Sequence, residues 1–448
     1  MKTAVLLSTL AAVASAGTPT LKDPPSKRAD LPTVTVSGNA FWAGKERFYL
    51  RGIDYQPGGS SANIDPLADT AVCKRDIAKF KDLGVNVIRV YTVDNTADHD
   101  ECMSALADAK IYLVLDVNNN KYSLNRAKPG PSYNTAYLQN VFATVEMFSK
   151  YTNTLAFFSG NEVINDEADT DKSAPYIKAV TRDIKNYMNA RDLRKVPVGY
   201  SAADVSSNRL QTAKYMNCGS DSMRSDFFAF NDYSWCNSDF ETAGWDAKVK
   251  TFTDYGLPIF LSEYGCILNR PRKFDEVEAM MSNKMDSVYS GGLMYEYTNE
   301  TNNYGIVKIG SDDKVTTLSE YANFKTALAN NPAPTGNGGA ASTTHSQECP
   351  TSDSKWQVDP SLVPVMPNQA QKYFTKGAGD GAGLKGDGSQ DQADSGTATA
   401  SVTGGTAVAT GSSSSDDSAA GTIAPLELAP LAVTGAAIFF TVLGAFAL

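Results

Sequence analysis

A chain of 448 residues that is 42% hydrophobic has the length for one large domain with a substantial core. Its formal charge of −10, from 50 acidic and 40 basic residues, argues against nucleic acid as a partner and suits a protein that handles neutral polymers. The two histidines, His99 and His345, lie away from any strand end that could pair them with serine or cysteine, which disfavours hydrolytic triads and histidine-held metals; no cofactor and no metal are expected.

At the start of the chain, Lys2 precedes the apolar run 4–13, and Ala14-Ser15-Ala16 supplies the small residues a signal peptidase needs. Residues 1–16 therefore read as a secretion signal and 17–32 as a leader, in which the dibasic pair Lys27-Arg28 offers a second cut. Thr33-Val34-Thr35-Val36 and Ala40-Phe41-Trp42, separated by Ser37-Gly38-Asn39, predict a hairpin. Eight apolar, β-branched and aromatic runs follow at 49–55, 85–91, 111–117, 155–161, 196–200, 227–233, 258–263 and 291–297. Helical patterns fall between them, for example at 73–83, 136–151, 175–191 and 274–289. Eight such units over residues 33–330 predict an α/β fold, a (β/α)8 TIM barrel with the hairpin plugging its floor. A doubly wound open sheet would need fewer strands and a switch-point ligand motif that is not found.

In a barrel the strands' C-terminal ends converge on one face. The residues predicted there are Tyr55-Gln56, Tyr91, Asp116, Asn161-Glu162, Tyr233, Glu263 and the run 295–297. Carboxylates, amides and phenols in one place suit a polyhydroxylated ligand, with hydrogen bonds for its hydroxyls and ring faces for its apolar side. A glutamate after a strand is more often a solvated loop residue or a salt-bridge partner. Glu162 and Glu263, however, follow the buried runs Phe157-Phe158 and Ile259-Phe260-Leu261, which puts each at the mouth of the core. Two such carboxyls suit glycoside cleavage, with Glu162 as the acid and Glu263 as the attacking group.

Six cysteines allow fifteen pairings. Cys236 and Cys266 each fall three residues after a strand-end residue, Tyr233 and Glu263, so they should bond. Cys73 and Cys102 open the first two helical regions, which leaves Cys218 for Cys349. The last bridge would tie an extension, 331–356, back to the barrel. From 331 onward Gly, Ser, Thr, Ala and Asp dominate, and 357–421 reads as a disordered, O-glycosylated stalk. Within it, Gly381-Ala382-Gly383-Leu384-Lys385-Gly386 matches a dinucleotide-binding fingerprint by letter only, since no strand precedes it. The tail 422–448 is a glycosylphosphatidylinositol (GPI) attachment signal in pattern, with Ser418 as the candidate anchor residue; a tail-anchoring helix is the alternative. Asn299-Glu300-Thr301 is an N-glycosylation sequon.

The strings Tyr49-Leu50-Arg51-Gly52-Ile53-Asp54-Tyr55-Gln56-Pro57-Gly58-Gly59, Val87-Ile88-Arg89-Val90-Tyr91, Phe157-Phe158-Ser159-Gly160-Asn161-Glu162, Asn231-Asp232-Tyr233-Ser234-Trp235-Cys236 and Leu261-Ser262-Glu263-Tyr264-Gly265-Cys266 resemble those of the fungal β-1,3-glucanosyltransferases of glycoside hydrolase family 72, over residues 31–356. The resemblance implies a monomeric, GPI-anchored enzyme at the outer face of the plasma membrane or in the wall. It would cut β-1,3-glucan internally and join the new reducing end to another glucan chain. It also implies Glu162 as acid/base and Glu263 as nucleophile, with Gln56, Tyr91, Asp116, Asn161, Tyr233 and Tyr295 binding substrate. Some members carry a cysteine-rich carbohydrate-binding module after the barrel; here a low-complexity segment stands in that place. The rivals are a hydrolytic endo-glucanase or mannanase on the same barrel, and a non-catalytic wall-binding protein.

Overall fold

The computed structural model describes residues 31–59, 62–390 and, as backbone alone, 399–401. The secretion signal, Lys27-Arg28, Ser418 and the tail 422–448 lie outside the described residues. Three short antiparallel strands, β1 (Val34–Ser37), β2 (Ala40–Ala43) and β3 (Glu46–Phe48), come first. The hairpin reading anticipates the first two; Gly44 at φ +64° turns the chain into the third.

Eight parallel strands then close a barrel: β4 (Leu50–Asp54), β5 (Val87–Val90), β6 (Tyr112–Asp116), β7 (Thr154–Asn161), β8 (Val198–Ala203), β9 (Phe227–Asp232), β10 (Ile259–Tyr264) and β11 (Tyr289–Met294), with β11 pairing back to β4. The helices between them are α1 (Thr70–Leu83), α2 (Asp100–Asp108), α3 (Pro129–Ser132), α4 (Thr135–Ser149), α5 (Ala174–Ala190), α6 (Arg209–Met216), α7 (Trp245–Phe252), α8 (Glu276–Met280) and α9 (Ser319–Asn330). Local chemistry sets several ends. Asp69 caps α1 by accepting from Ala71 and Val72 N–H groups, and Gly84 closes it at φ +79°. Asn134 caps α4 through Tyr137 N–H. The helix expected over 274–289 is only α8, because the Ser282 hydroxyl turns back onto Ala279 O and interrupts the ladder.

Period-2 alternation divides the strand residues between two cores. Val87, Val114, Phe158, Phe227, Ala229 and Phe260 face the barrel interior, joined from below by Val34 and Phe41 of the hairpin. Ile88, Leu113, Leu115, Phe157, Phe228 and Leu261 face outward into the helix layer. Phe41 is fully buried, its ring centroid 5.8 Å from both Phe227 and Phe260, so the N-terminal hairpin seals the barrel floor.

Three disulfides, Cys73–Cys102, Cys218–Cys349 and Cys236–Cys266, close the chain at three points, and no described cysteine is free. The chain does not leave the barrel at 356, where the stalk was expected to begin. Trp356 and Val363 are fully buried, β12 (Leu362–Pro364) packs on α5, and α10 (Lys372–Lys376) places Phe374 against Phe142 and Tyr187. A few aromatic and aliphatic anchors set far apart in a Gly-rich sequence bury enough apolar surface to order it, which composition alone does not reveal.

Phe41→Ala leaves a cavity between Phe227 and Phe260 and should cost about 3–5 kcal/mol. Guanidinium unfolding under oxidising conditions should show a lower midpoint at unchanged slope.

Candidate active site

The polar residues of the site continue the inward-facing rows of the barrel. On β5 the inward row is Val87, Arg89, Tyr91; on β6 it is Val114, Asp116. Arg89 is wholly buried. Its Nε and Nη2 donate to Asp116 Oδ2 and Oδ1 at 2.8 and 3.2 Å, and its Nη1 donates to Glu263 Oε1 at 3.1 Å and to Ser262 O at 3.2 Å. Its guanidinium also stacks over the Tyr91 ring, 4.1 Å from the centroid.

Simple alternation would turn Glu263 outward, since Phe260 points in and Leu261 out. A register break prevents this: Leu261 pairs with Phe230 and Glu263 with Asn231, so Ser262 is one residue too many for β9. The bulge brings both Ser262 and Glu263 inside. Glu263 is 7% exposed and accepts two more hydrogen bonds, from Tyr91 Oη to Oε1 at 2.8 Å and from Tyr233 Oη to Oε2 at 2.6 Å. Burial pushes its carboxyl up to about 7; Arg89 opposes the rise, the nearby Glu162 charge adds to it, and the two phenol bonds oppose it.

A second register break lies on β7, where Phe158 pairs with Gly199 and Asn161 with Ser201, three steps against two. Glu162 follows at φ +47°, a left-handed conformation that a glutamate adopts at a cost of about 1–3 kcal/mol. Two backbone contacts hold it there: its N–H donates to Ser201 O at 2.9 Å, and its carbonyl accepts from Arg126 Nη2 at 2.8 Å. Its carboxylate accepts from Asn231 Nδ2 at 2.9 Å. Asn231 belongs to a buried network that crosses from β7 to β10. Ser201 Oγ donates to Asn161 Oδ1 at 2.6 Å, Asn231 Nδ2 reaches the same oxygen at 3.1 Å, and Ser262 Oγ donates to Asn231 Oδ1 at 2.8 Å. The two glutamates therefore share one rigid polar scaffold.

A cavity of about 260 Å³ opens beside them, lined by Tyr91, Asp116 and Asn161 and by Asn118, Asn120 and Arg126 of the loop after β6. Tyr233 and Tyr295 stand elsewhere in the site, their rings perpendicular at 6.2 Å, with Tyr304 5.3 Å from Tyr295. Gln56 is 1% exposed, and its amide is engaged by Tyr91 N–H and Ile64 O, so it supports the floor instead of presenting itself to a ligand. Tyr55 and Tyr297 are not in the cleft. Both fall on outward positions, wholly buried, with their hydroxyls on Asp76 at 2.7 and 2.9 Å. Asn299 is half-buried in the loop after β11, its backbone N–H on Val307 O.

Residue-by-residue reading missed Arg89, Ser201, Asn231, Ser262 and Asp54 as site residues, while Glu296 falls within the expected run 295–297. Asp54 pairs in register with Arg89, is completely buried, and has neither oxygen hydrogen-bonded; burial raises it well above the carboxylate range, with Arg89 opposing and Glu263 and Glu296 adding. Glu296, 1% exposed, is pushed up to about 8 by burial, against a 2.7 Å bond from Asn302 Nδ2. Inward alternation marks Arg89, Asn231 and Asp54. No sequence signal marks the bulges. Among the described residues, no cluster of His, Cys, Asp and Glu could hold a metal.

The profile of the family described as Glucanosyltransferase matches residues 25–332. The 1,3-beta-glucanosyltransferase gel1 of Aspergillus fumigatus is 58% identical over 383 residues, covering 85% of this chain and 84% of that protein. The 1,3-beta-glucanosyltransferase GAS5 of Saccharomyces cerevisiae is 50% identical over 364 residues, 80% of this chain and 75% of that one. Among solved structures, a mutant of Saccharomyces cerevisiae Gas2p in complex with laminaritetraose and laminaripentaose superposes with a TM-score of 0.70 at 37% identity, covering 76% of each chain.

Two predictions follow from the electrostatics of the site. Tyr233→Phe removes a hydrogen bond that favours ionised Glu263, so the acid limb of the kcat/KM–pH profile should move upward by about one pH unit. Glu296 raises a different expectation, in stability. Between the ordinary glutamate value of 4.5 and about 8 the folded chain keeps a proton that the unfolded chain has released, so this group makes stability fall as pH rises through that window. In Glu296→Gln that loss is absent, and the variant's Tm advantage should grow from pH 5 to pH 8 in thermal melts.

Proposed function

The chain belongs to the glucanosyltransferase family, glycoside hydrolase family 72, and from that premise we propose that it remodels β-1,3-glucan by retaining transglycosylation, with Glu263 as nucleophile and Glu162 as acid/base. The observation that carries the assignment is the different treatment of the two carboxyls. Glu263 is met by a guanidinium and two phenols, a set of donors that stabilises an anion and orients it for attack. Glu162 meets one neutral amide and stands half-exposed, where a sugar oxygen can reach it.

In the first step Glu263 Oε attacks the anomeric carbon of a glucosyl unit, the glycosidic C–O bond breaks, and the Glu162 proton goes to the departing oxygen. The glycosyl ester no longer carries the Glu263 charge, and Glu162 is left as a carboxylate. In the second step Glu162 takes the proton of the terminal hydroxyl of another glucan as that oxygen attacks the ester. Two inversions at one carbon leave the β-configuration unchanged. Tyr91, Asp116, Asn161, Tyr233 and Tyr295 supply polar atoms and ring edges to the bound glucan, while Gln56 acts by fixing the Tyr91 backbone. An acceptor hydroxyl held at the ester reacts at an effective molarity of order 10⁵ M or more, far above the concentration of water. The secretion signal, the attachment-signal tail and Ser418 support a GPI-anchored enzyme at the outer face of the plasma membrane, acting as a monomer on donor and acceptor glucan. Among the described residues, no helix is long and apolar enough to cross a membrane.

Incubation with a laminari-oligosaccharide labelled at its reduced end should yield products longer than the substrate; only shorter products would assign a hydrolase. Glu162→Gln and Glu263→Gln should each lower turnover by about 10³-fold or more while binding persists. Unchanged turnover in either would remove its assigned role.

A further inference from the structure

The chain beyond the barrel returns to the catalytic face. From β12 and α10, where Arg182 Nη1 donates to Pro364 O at 2.7 Å and Ala378 N–H to Tyr187 Oη at 2.8 Å, the Gly-rich stretch 377–390 runs to the loop between β6 and α4, the loop that walls the cavity. A set of hydrogen bonds joins the two, among them Ser389 N–H to Lys121 O at 2.9 Å. Lys121 Nζ donates to Gly386 O at 3.0 Å, Gly388 N–H to Tyr122 Oη at 3.2 Å, Asn134 Nδ2 to Ser389 O at 2.6 Å, and Gln390 Nε2 to Ser123 O at 2.7 Å. Ser389 is fully buried beneath them.

The glycines are required by close approach. A Cβ on Gly381 would collide with the Asn95 side chain, and one on Gly386 with the Tyr122 hydroxyl. The string that resembles a nucleotide fingerprint by letter is thus a packing sequence. From the same loop, three residues past Ser123, Arg126 donates to the carbonyl of Glu162 and holds that residue in its left-handed conformation.

We propose that the Gly-rich stretch 377–390 is part of the catalytic apparatus, a brace that fixes the loop 118–134 and, through the positioning residues Tyr122 and Arg126, sets the backbone of Glu162. The chain of contacts is unbroken: brace to Lys121, Tyr122 and Ser123, then along the loop to Arg126, then to the Glu162 peptide. A strained residue stays in place only while its surroundings over-determine it. Here the contacts from Ser201 and Arg126 are what hold it, and a displacement of about 1 Å at such a group can cost about a hundredfold in rate. The proposal rests on Glu162 being the acid/base.

The test uses the full chain and laminari-oligosaccharide transfer as the readout. Gly386→Ala should lower kcat by about tenfold to a hundredfold with KM and Tm little changed. In an Arg126→Ala background, Gly386→Ala should cause little further loss, because both act through one backbone position. Lys121→Met with Gln390→Ala loosens the brace without a clash, and should lower kcat several-fold even if Gly386→Ala fails to fold. Wild-type kcat in that double variant, or full additivity with Arg126→Ala, would overturn the brace while leaving the role of Glu162 standing. Wild-type turnover in Glu162→Gln would instead remove the catalytic premise.

Discussion

Arg89 is the cation on which the catalytic end of the barrel depends. One fully buried guanidinium stands among Asp54, Asp116 and Glu263, with Glu296 close by. It cannot neutralise them all. Its bidentate pair goes to Asp116 and its remaining amino group to Glu263, which leaves both Asp54 oxygens without a hydrogen bond and its carboxyl raised well above the usual range by burial. A buried ion pair of this kind adds little to stability compared with apolar packing of the same volume, and losing one partner costs about 3–5 kcal/mol. What the arrangement provides is position. The guanidinium plane, stacked between Tyr91 and Phe158, fixes the direction from which Glu263 is held.

That demand explains why the two strands that lead to Glu162 and Glu263 are both irregular. A regular strand alternates strictly, and the apolar plug of Phe158, Phe227 and Phe260 already uses the inward positions below. To place a polar scaffold and a carboxyl on the same side at the rim, each of β7 and β10 takes in one extra residue. The polar network of Ser201, Asn231 and Ser262 then satisfies the groups that the bulges bring inside. The Cys236–Cys266 bridge ties the loops that follow β9 and β10, a closure of 30 residues that removes about 3.5 kcal/mol of unfolded-state entropy at the rim where Tyr233 and Glu263 sit.

Most of the fold was legible in the sequence because each barrel strand carries a run such as Val87-Ile88-Arg89-Val90 or Phe227-Phe228-Ala229-Phe230, and eight of them with helices between admit few architectures. Glu162 and Glu263 were legible because each ends such a run. Tyr55 and Tyr297 were misassigned by counting strand-end residues without asking on which face each falls; Leu50, Gly52 and Asp54 point in, so Tyr55 points out. The bulge residues were not legible, since an extra residue is defined by the partner strand. The packed course of 357–390 was hidden for a related reason. Its order comes from partners 180 to nearly 300 positions away, Arg182 for Pro364 and Asn95 for Gly383, and local composition records none of them.

The two sides of the site are held by different means, and the reaction gives a reason for holding both. One wall, the loop 118–134, is fixed by contacts from the Gly-rich stretch. On the other, the buried pair Arg272–Glu320 sends guanidinium hydrogens to the carbonyls of Tyr295 at 3.0 Å and Tyr304 at 2.5 Å, so the two tyrosines that meet the Tyr233 ring edge-on are set by one side chain. A hydrolase needs only its donor side rigid, because water is present at any orientation. Transfer to a second sugar chain requires that the ester and the incoming hydroxyl be held at once, and freedom on either wall lowers the effective molarity that lets the sugar outcompete water. Spending a buried ion pair on backbone carbonyls is understandable on those terms and has no evident use in a cleft that only cuts.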